Sequence, residues 1–189
     1  ERLLARNAVF DEPLIAALKA LPSNDADLGD ALRRAHAVLA VAGLPDANQA
    51  PLRSAPVLVR QSRPATDAPP DLVRHAGALT SIDVLDSQAQ GWGLISVETT
   101  RGVVRRMPLA ASVRDTIVPA LSIELLRLAM GESTLRIAAD GPVMRSLQVG
   151  SLLVPTEPNG LVRPWFSPRR DDRFLSAVDV LRGAPDPAM

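Results

Sequence analysis

The chain has 189 residues, 47% of them hydrophobic, and its 21 acidic residues balance its 21 basic residues. This length and composition predict one packed domain over residues 1–189, and the balanced charge removes any global electrostatic case for binding nucleic acid. The absence of cysteine excludes a disulfide, a thiolate metal site and a cysteine nucleophile.

Two helices and two strands are predicted in the first third of the chain. Residues 10–18 and 23–35 each carry a capping residue near the start and apolar residues at helical spacing, so both predict helices. The apolar run 35–43 predicts a strand buried on both faces, and residues 56–61 predict a second strand. The predicted caps are Asp11 for the first helix and Asn24 or Asp25 for the second.

The middle of the chain predicts a hairpin. Residues 91–100 form one predicted strand and residues 103–111 its antiparallel partner, joined by a turn at Thr100–Arg101–Gly102. The preceding segment, residues 71–83, gives an ambiguous pattern of a short helix, then Gly77, then a strand.

The clearest predicted helix covers residues 118–131. Pro119 lies near its start and Gly131 just past its end, which are the positions these residues favour. A wide apolar stripe predicts deep burial of this helix, so we expect it to anchor the core. The stripe consists of Leu121, Ile123, Leu125, Leu126, Leu128 and Met130.

Four short strands are predicted to form a C-terminal meander. Its turns lie at Asp140–Gly141 and Asn159–Gly160, two dipeptides that favour tight turns. The predicted strands cover residues 134–139, 143–150, 151–155 and 160–166.

A short closing helix is predicted over residues 175–183. Ser176 caps it, Leu181 packs inward and Gly183 ends it. The order of all these elements predicts an α/β or α+β class, with a single layered domain around a mixed sheet and helices packed on it.

Two glycine corners are each followed by two apolar residues and an arginine. The stretch "GVVR" ends at Arg105 and "GLVR" ends at Arg163, and Arg106 follows the first directly. Because guanidinium groups bind carboxylates through two hydrogen bonds, these three arginines are the predicted contacts for an anionic ligand. Two alternatives stay open: the recurrence is a structural echo alone, or each arginine pairs with an acid on a neighbouring strand.

The motifs of nucleophilic, nucleotide-binding and metal chemistry are missing from the sequence. There is no G-x-S-x-G, no P-loop and no G-x-G-x-x-G. His36 and His75 lie far apart, which favours structural or surface roles, and Asp25 and Asp27 suit the start of a helix better than a cation site. We therefore expect no catalytic residue, no metal and no cofactor.

Two pairs of residues represent weaker alternatives. Asp83 and Asp86 are the carboxylate pair that a soluble enzyme domain would use, although their surroundings in the sequence do not favour it. Trp92 and Trp165 are predicted to lie in the core or on a sheet face, because a stacking platform for bases needs several aromatic residues among basic ones.

An ordered set of segments resembles the type-two CHASE domain, the extracytoplasmic sensor domain of bacterial membrane receptors. The set spans about Val9 to Gly183 and consists of "FDEP", "DADLGDALRRAHAVLAVAG", "VVRRMPL", "PALSIELLRLAMG", "VGSLLVPTEPNGLVRPWF" and "SAVDVLRG". Two features depart from the family. Arg101 stands where an aspartate usually precedes the corner glycine, and the family's first strand and helix are missing ahead of "FDEP".

The resemblance implies a non-catalytic sensory domain on the periplasmic or extracellular face of the bacterial inner membrane. Its parent would carry membrane helices and a cytoplasmic output domain, an adenylate or guanylate cyclase first, or a histidine or serine/threonine kinase. The implied partners are an unidentified small-molecule or environmental signal and a second copy of the chain. Because the sequence begins at Glu1 without methionine, we expect a piece of such a receptor.

Overall fold

The computed structural model describes residues 23–62, 69–168 and 176–183, together with four single positions between residues 13 and 21. The helix predicted at 10–18 falls mostly outside these residues. The helices of the described ranges are α1 (Asn24–Arg34), α2 (Asp83–Asp86), α3 (Leu121–Ala129) and α4 (Ala177–Leu181). The strands are β1 (Val38–Leu44), β2 (Val57–Gln61), β3 (Arg74–His75), β4 (Gly77–Leu79), β5 (Gly91–Leu94), β6 (Thr99–Thr100), β7 (Val103–Val104), β8 (Met107–Pro108), β9 (Ala110–Val113), β10 (Thr116–Pro119), β11 (Leu135–Asp140), β12 (Val143–Val149), β13 (Leu152–Pro155) and β14 (Leu161–Val162).

These strands form three small sheets and two ribbons. β1 is the central strand of the first sheet, parallel to β5 and antiparallel to β4. The second sheet has the order β10–β9–β3, and the third has the order β13–β12–β11–β2. β14 pairs with β8 and β6 pairs with β7, each as an antiparallel ribbon. Mixed sheets with packed helices confirm the predicted fold class.

Helix α3 packs on the first sheet at two glycines of β5. A methyl group at Gly93 would overlap the backbone of Leu121, and one at Gly91 would overlap the carboxylate of Glu124. Glu124 is fully buried there and accepts two hydrogen bonds from Arg127, from Nε at 2.8 Å and from Nη2 at 2.7 Å. The "GWG" stretch therefore allows close packing of a helix on a strand.

The charge of Arg127 is stabilised in the folded state. Hydrogen bonding to Glu124 raises the pKa of Arg127, against the opposite effect of burial. Because the pKa of Arg127 is higher in the folded than in the unfolded chain, its protonation stabilises the fold. This contribution is complete below the ordinary arginine pKa and therefore persists across the neutral range. Arg127 also donates to the backbone carbonyl of Glu132, which ties the helix to the loop that follows it.

The predicted deep burial of the α3 stripe is confirmed for Ile123 and wrong for two other members. Leu125 is 50% exposed and Met130 is 40% exposed, whereas Glu124 and Arg127 are buried. The reason is that Gly91 of β5 leaves room for the carboxylate of Glu124, whose charge Arg127 neutralises. The buried face of the helix therefore includes two polar side chains that the stripe did not predict.

The predicted burial of β1 on both faces is wrong, since Val41 is its one buried residue and Ala40 is exposed. Two further details of the early elements differ from prediction. The N-cap of α1 is Ser23, whose carbonyl accepts the first backbone hydrogen bonds, so Asn24 and Asp25 lie inside the helix. Gly29 is the buried residue of α1, and it lies close against α2. A methyl group at this position would lie only 3.2 Å from the carbonyl of Val84. The short helix predicted at the start of residues 71–83 is replaced by strand β3, which pairs with β9.

The predicted hairpin in the middle of the chain exists but is much shorter. β5 ends at Leu94 and pairs with β1, so only Thr99–Thr100 and Val103–Val104 pair across the predicted turn. Arg101 and Gly102 have φ values of 53° and 77°, as the tight turns of such ribbons require. The remainder of the predicted partner strand contains β8, which pairs with β14, and the start of β9, which pairs with β10.

The C-terminal meander is confirmed for β11, β12 and β13, whereas β14 leaves it to pair with β8. Gly141 and Gly160 have positive φ values of 61° and 80°, as the predicted turns require. The closing helix follows Ser176 as predicted.

Two burial predictions are wrong, since Leu181 is 86% exposed and Trp165 is 95% exposed. The reason for Leu181 is that every residue of 176–183 is exposed, so α4 buries no apolar face against the described residues.

The core consists of two apolar clusters that meet at β9. Ala110 belongs to one cluster, while Ala111 and Val113 belong to the other, because successive side chains of a strand point to opposite faces. The first cluster consists of Leu72, Leu109, Ala110, Ala120, Ile123, Leu135, Ile137, Met144, Leu147 and Val149. The second consists of Val41, Ala78, Leu94, Ala111, Val113 and Val118.

Arg127→Leu should destabilise the fold strongly, because it leaves the buried carboxylate of Glu124 without a counter-charge. We expect a loss of about 3–5 kcal/mol in the free energy of unfolding, measured by urea denaturation. The double variant Glu124→Met/Arg127→Leu removes both charges and should recover much of that loss. A double variant no more stable than the single one would show that the pair does not act through its charges.

Candidate functional site

A cleft of about 1000 Å³ opens at the carboxyl ends of the parallel strands β1 and β5. Gly43 and Pro45 from the end of β1, and Ser96 and Val97 just after β5, form part of its wall. The amide of Gly43 donates to Ser96 Oγ at 2.7 Å, which holds the two strand ends together. Small-molecule sites occupy roughly 300–1000 Å³ and are frequent beyond the carboxyl ends of parallel strands, so this cleft is the candidate site.

The register of β8 with β14 brings two arginines to this cleft. Met107 pairs with Val162, and Arg106 and Arg163 occupy the next position on the two chains. Both arginines form an ion pair with Glu157. Arg106 Nε lies 3.2 Å from Oε2, and Arg163 Nε donates to Oε1 at 3.2 Å. One carboxylate therefore pairs with two guanidinium groups.

Two further arginines line the cleft. Arg105 is exposed and forms no ion pair with any residue that the structure describes. Arg74 Nε lies 3.8 Å from Asp71 Oδ1, and both side chains are largely exposed, so that pair contributes little. Glu98 also lines the cleft, on the segment before β6. The described lining residues thus carry more positive than negative charge, and we name this site the arginine cleft.

The ribbon of β6 and β7 forms an apolar wall together with neighbouring segments. Val97, Val103 and Val104 line the cleft from the ribbon and its approach, and Phe166 lines it from the segment after β14. Phe166 is 70% exposed. In the described part of the chain the ribbon pairs with no third strand. Because an isolated two-stranded ribbon is marginally stable, this wall is the less firmly held side of the cleft.

His75 lines the arginine cleft beside Gly43. A methyl group at Gly43 would overlap the imidazole ring, so the glycine makes room for it. His75 is held through the pairing of β3 with β9, and its Nε2 is buried without a hydrogen-bond partner among the described residues. The other histidine, His36, is exposed and shares a hydrogen bond of 2.7 Å with Gln90.

The structure brings the three predicted residues, Arg105, Arg106 and Arg163, to one cleft. The alternative prediction, in which each arginine pairs with an acid on a neighbouring strand, is confirmed for Arg106 and Arg163 as far as the pairing goes. The acid, Glu157, lies between β13 and β14 and not on a strand. The alternative is wrong for Arg105, which forms no ion pair with any described residue.

Glu157 was not among the predicted site residues, although one predicted turn contains the signal for it. Glu157 and Leu161 face each other across the turn at Asn159–Gly160, and the amide of Glu157 donates to the carbonyl of Leu161 at 2.8 Å. That turn places Glu157 beside the strand that leads to Arg163. Arg74 and His75 reach the cleft through the pairing of β3 with β9, which is distant in sequence and leaves no local signal.

The two acids of the carboxylate-pair alternative lie on α2. Asp86 is buried, accepts a hydrogen bond from Trp92 Nε1 at 2.8 Å and pairs with Arg53 Nε at 3.1 Å. Arg53 also lies 5.6 Å from the centroid of the Trp92 ring. Asp83 is exposed, and neither acid lines the arginine cleft. Asp86 therefore has structural partners.

Within the described ranges, no three histidine, cysteine or acidic side chains come together as a metal-ion site. In those same ranges, none of the helices combines the length and the apolar character needed to cross a bilayer. No family model, curated protein or solved structure matches this chain. The resemblance to the type-two CHASE domain accordingly stays a prediction.

Gly43→Ala should distort the arginine cleft, because the added methyl group overlaps the ring of His75. We expect a loss of about 1–3 kcal/mol in the free energy of unfolding, measured by chemical denaturation. In the His75→Ala background the same substitution should cost much less, since the ring is gone. An equal cost in both backgrounds would place the effect in the strand backbone instead of in this contact.

Proposed function

We propose that the chain is a non-catalytic sensory domain of a bacterial membrane receptor and binds a small anion in the arginine cleft. The observation that carries the proposal is that Arg105, Arg106 and Arg163 meet at one cleft and outnumber the acid that pairs with them. The resemblance to the type-two CHASE domain supports the sensory role and a periplasmic position, and the guanidinium groups support an anionic ligand.

The lining residues favour binding over reaction. Ser96 and His75 are the nearest approach to a nucleophile and a base in the described part of the cleft. Ser96 Oγ accepts from the amide of Gly43 at 2.7 Å and donates to its carbonyl at 3.4 Å, while His75 Nε2 has no partner among the described residues. A nucleophile needs a hydrogen bond to its base, and these two side chains are not joined by one.

In the proposed receptor, ligand binding shifts the balance between two arrangements of the domain or of its dimer. The ligand can move that balance only by its difference in affinity for the two arrangements. The apolar residues Val178, Val180 and Leu181 of α4 are exposed. We assign them the contact that passes the change to a neighbouring segment. The first candidate for the output is an adenylate or guanylate cyclase, followed by a histidine or serine/threonine kinase.

The purified chain should bind organic anions saturably and return them unchanged. Calorimetry with a set of short carboxylates and phosphate esters should give saturable binding for at least one of them. Arg163→Gln should weaken that binding about tenfold, because it removes a charged hydrogen-bond donor. Arg136→Gln replaces an exposed arginine outside the cleft and is the matched control. Any product detected by mass spectrometry after prolonged incubation would contradict the non-catalytic role.

Leu181→Asp should leave the domain folded, because the side chain is already in water. The expected change in the free energy of unfolding is within about 0.5 kcal/mol. In a full-length receptor the same substitution should uncouple ligand binding from output, since α4 would lose its apolar contact. Leu153→Asp, which alters another exposed leucine, on β13, is the matched control. Unchanged basal and stimulated output in the Leu181→Asp receptor would exclude α4 from signal transmission.

A further inference from the structure

We infer that the arginine cleft takes a small molecule that joins a dianionic oxyanion group, either a phosphate monoester or a dicarboxylate, to an apolar body. The inference rests on the proposed function for the choice of site and adds the chemical class of the ligand. The dianionic group lies among Arg105, Arg106 and Arg163. The apolar body lies against the side of the cleft that carries Val103 and Phe166.

The charge at the arginine end requires two negative charges from the ligand. Arg105, Arg106 and Arg163 supply three positive charges, and Glu157 supplies one negative charge. A monoanion would leave one guanidinium charge uncompensated beside the ligand, whereas a dianion balances the group. Like charges held close together repel, so the ligand that neutralises all of them is favoured.

The free hydrogen-bond donors of these side chains lead to the same ligand class. Arg106 and Arg163 both use Nε for Glu157, and their Nη groups form no hydrogen bond within the described residues. Arg105 likewise donates no side-chain hydrogen bond to any residue that the structure describes. A single carboxylate is matched in geometry to one guanidinium group, which it engages through two parallel hydrogen bonds. A phosphate monoester, with three terminal oxygens, or a pair of carboxylates can accept from all of them.

Glu98 determines the direction in which the ligand lies. It lines the cleft on the approach to the β6–β7 ribbon and repels an anion placed there. The same segment and the ribbon offer Val97, Val103 and Val104, and Phe166 lines the cleft as well. An apolar body covers these side chains from water while its charged end stays at the arginines.

The size of the cleft excludes the simplest anion as the complete ligand. Inorganic phosphate would occupy a small part of about 1000 Å³ and would leave the apolar wall in water. A nucleic acid is disfavoured because the chain has no net charge, and because Phe166 is the one large aromatic side chain among the described lining residues. The ligand is therefore small and amphipathic.

Calorimetric titration of the purified chain with four probes at pH 8 tests this inference. Phenyl phosphate and phenylsuccinate join a dianion to a ring and distinguish the phosphate from the dicarboxylate. Benzoate keeps the ring with one charge, and inorganic phosphate keeps the charge without the ring. We expect at least one of the first two probes to bind about tenfold more tightly than benzoate and than inorganic phosphate.

Two variants locate the two ends of the ligand. Arg105→Gln should weaken the better dianionic probe about tenfold and benzoate much less, because the monoanion does not need that charge. Val103→Ser should weaken the same probe while leaving inorganic phosphate unchanged. Arg136→Gln, outside the cleft, is again the matched control, and circular dichroism verifies the folding of each variant.

The possible outcomes separate this inference from the proposed function. Equal binding of benzoate and the dianionic probes, weakened alike by Arg163→Gln, would overturn the dianionic ligand and leave the cleft as an anion site. Dianion binding that Arg105→Gln does not weaken, or no binding of any probe, would also overturn the inference. Conversion of phenyl phosphate to phenol would instead overturn the non-catalytic function.

Discussion

The buried ion pair between Glu124 and Arg127 determines how helix α3 lies on strands β1 and β5. Its carboxylate fits there because Gly91 has no side chain, and the contact at Gly93 brings the helix backbone directly onto the strand. The arginine cleft opens where these same strands end, at Gly43 and the residues after β5. The charges that hold the scaffold are neutralised inside the fold, while those at the cleft face solvent with an excess of arginine.

The cleft combines a firmly held side with a loosely held one. Strands β1 and β3 are built into sheets, and the short hydrogen bond between Gly43 and Ser96 joins two strand ends. The β6–β7 ribbon, which also lines the cleft, pairs with no third strand among the described residues. In the proposed sensory role, the ribbon is thus the part that responds to a ligand, and the sheets are the part that keeps the arginines in place.

Local signals in the sequence predicted most elements, and pairings between distant segments explain the errors. The position of α3 could be predicted from its flanking residues, but its buried face depends on Gly91 and Gly93 in strand β5. Likewise, the alternation in residues 91–100 cannot distinguish parallel pairing with β1 from a hairpin with its neighbour. At the cleft, the two glycine turns identified Arg105 and Arg163, because the same short stretch of a glycine, two apolar residues and an arginine occurs at both. Glu157, the acid that two of the arginines share, could not be predicted in the same way. The sequence marks the turn at Asn159–Gly160 but does not show that this turn places Glu157 beside Arg163.

The carboxylate shared by Arg106 and Arg163 makes the two positions interdependent. When one arginine is lost, both oxygens of Glu157 become available to the other, whose planar fork can then engage them together. The remaining arginine is then drawn toward Glu157 and away from the cleft. Loss of the first arginine therefore lowers ligand affinity by more than one contact, and loss of the second lowers it by less. Selection would therefore act on these two arginines as one unit, and homologous sequences should keep or lose them jointly.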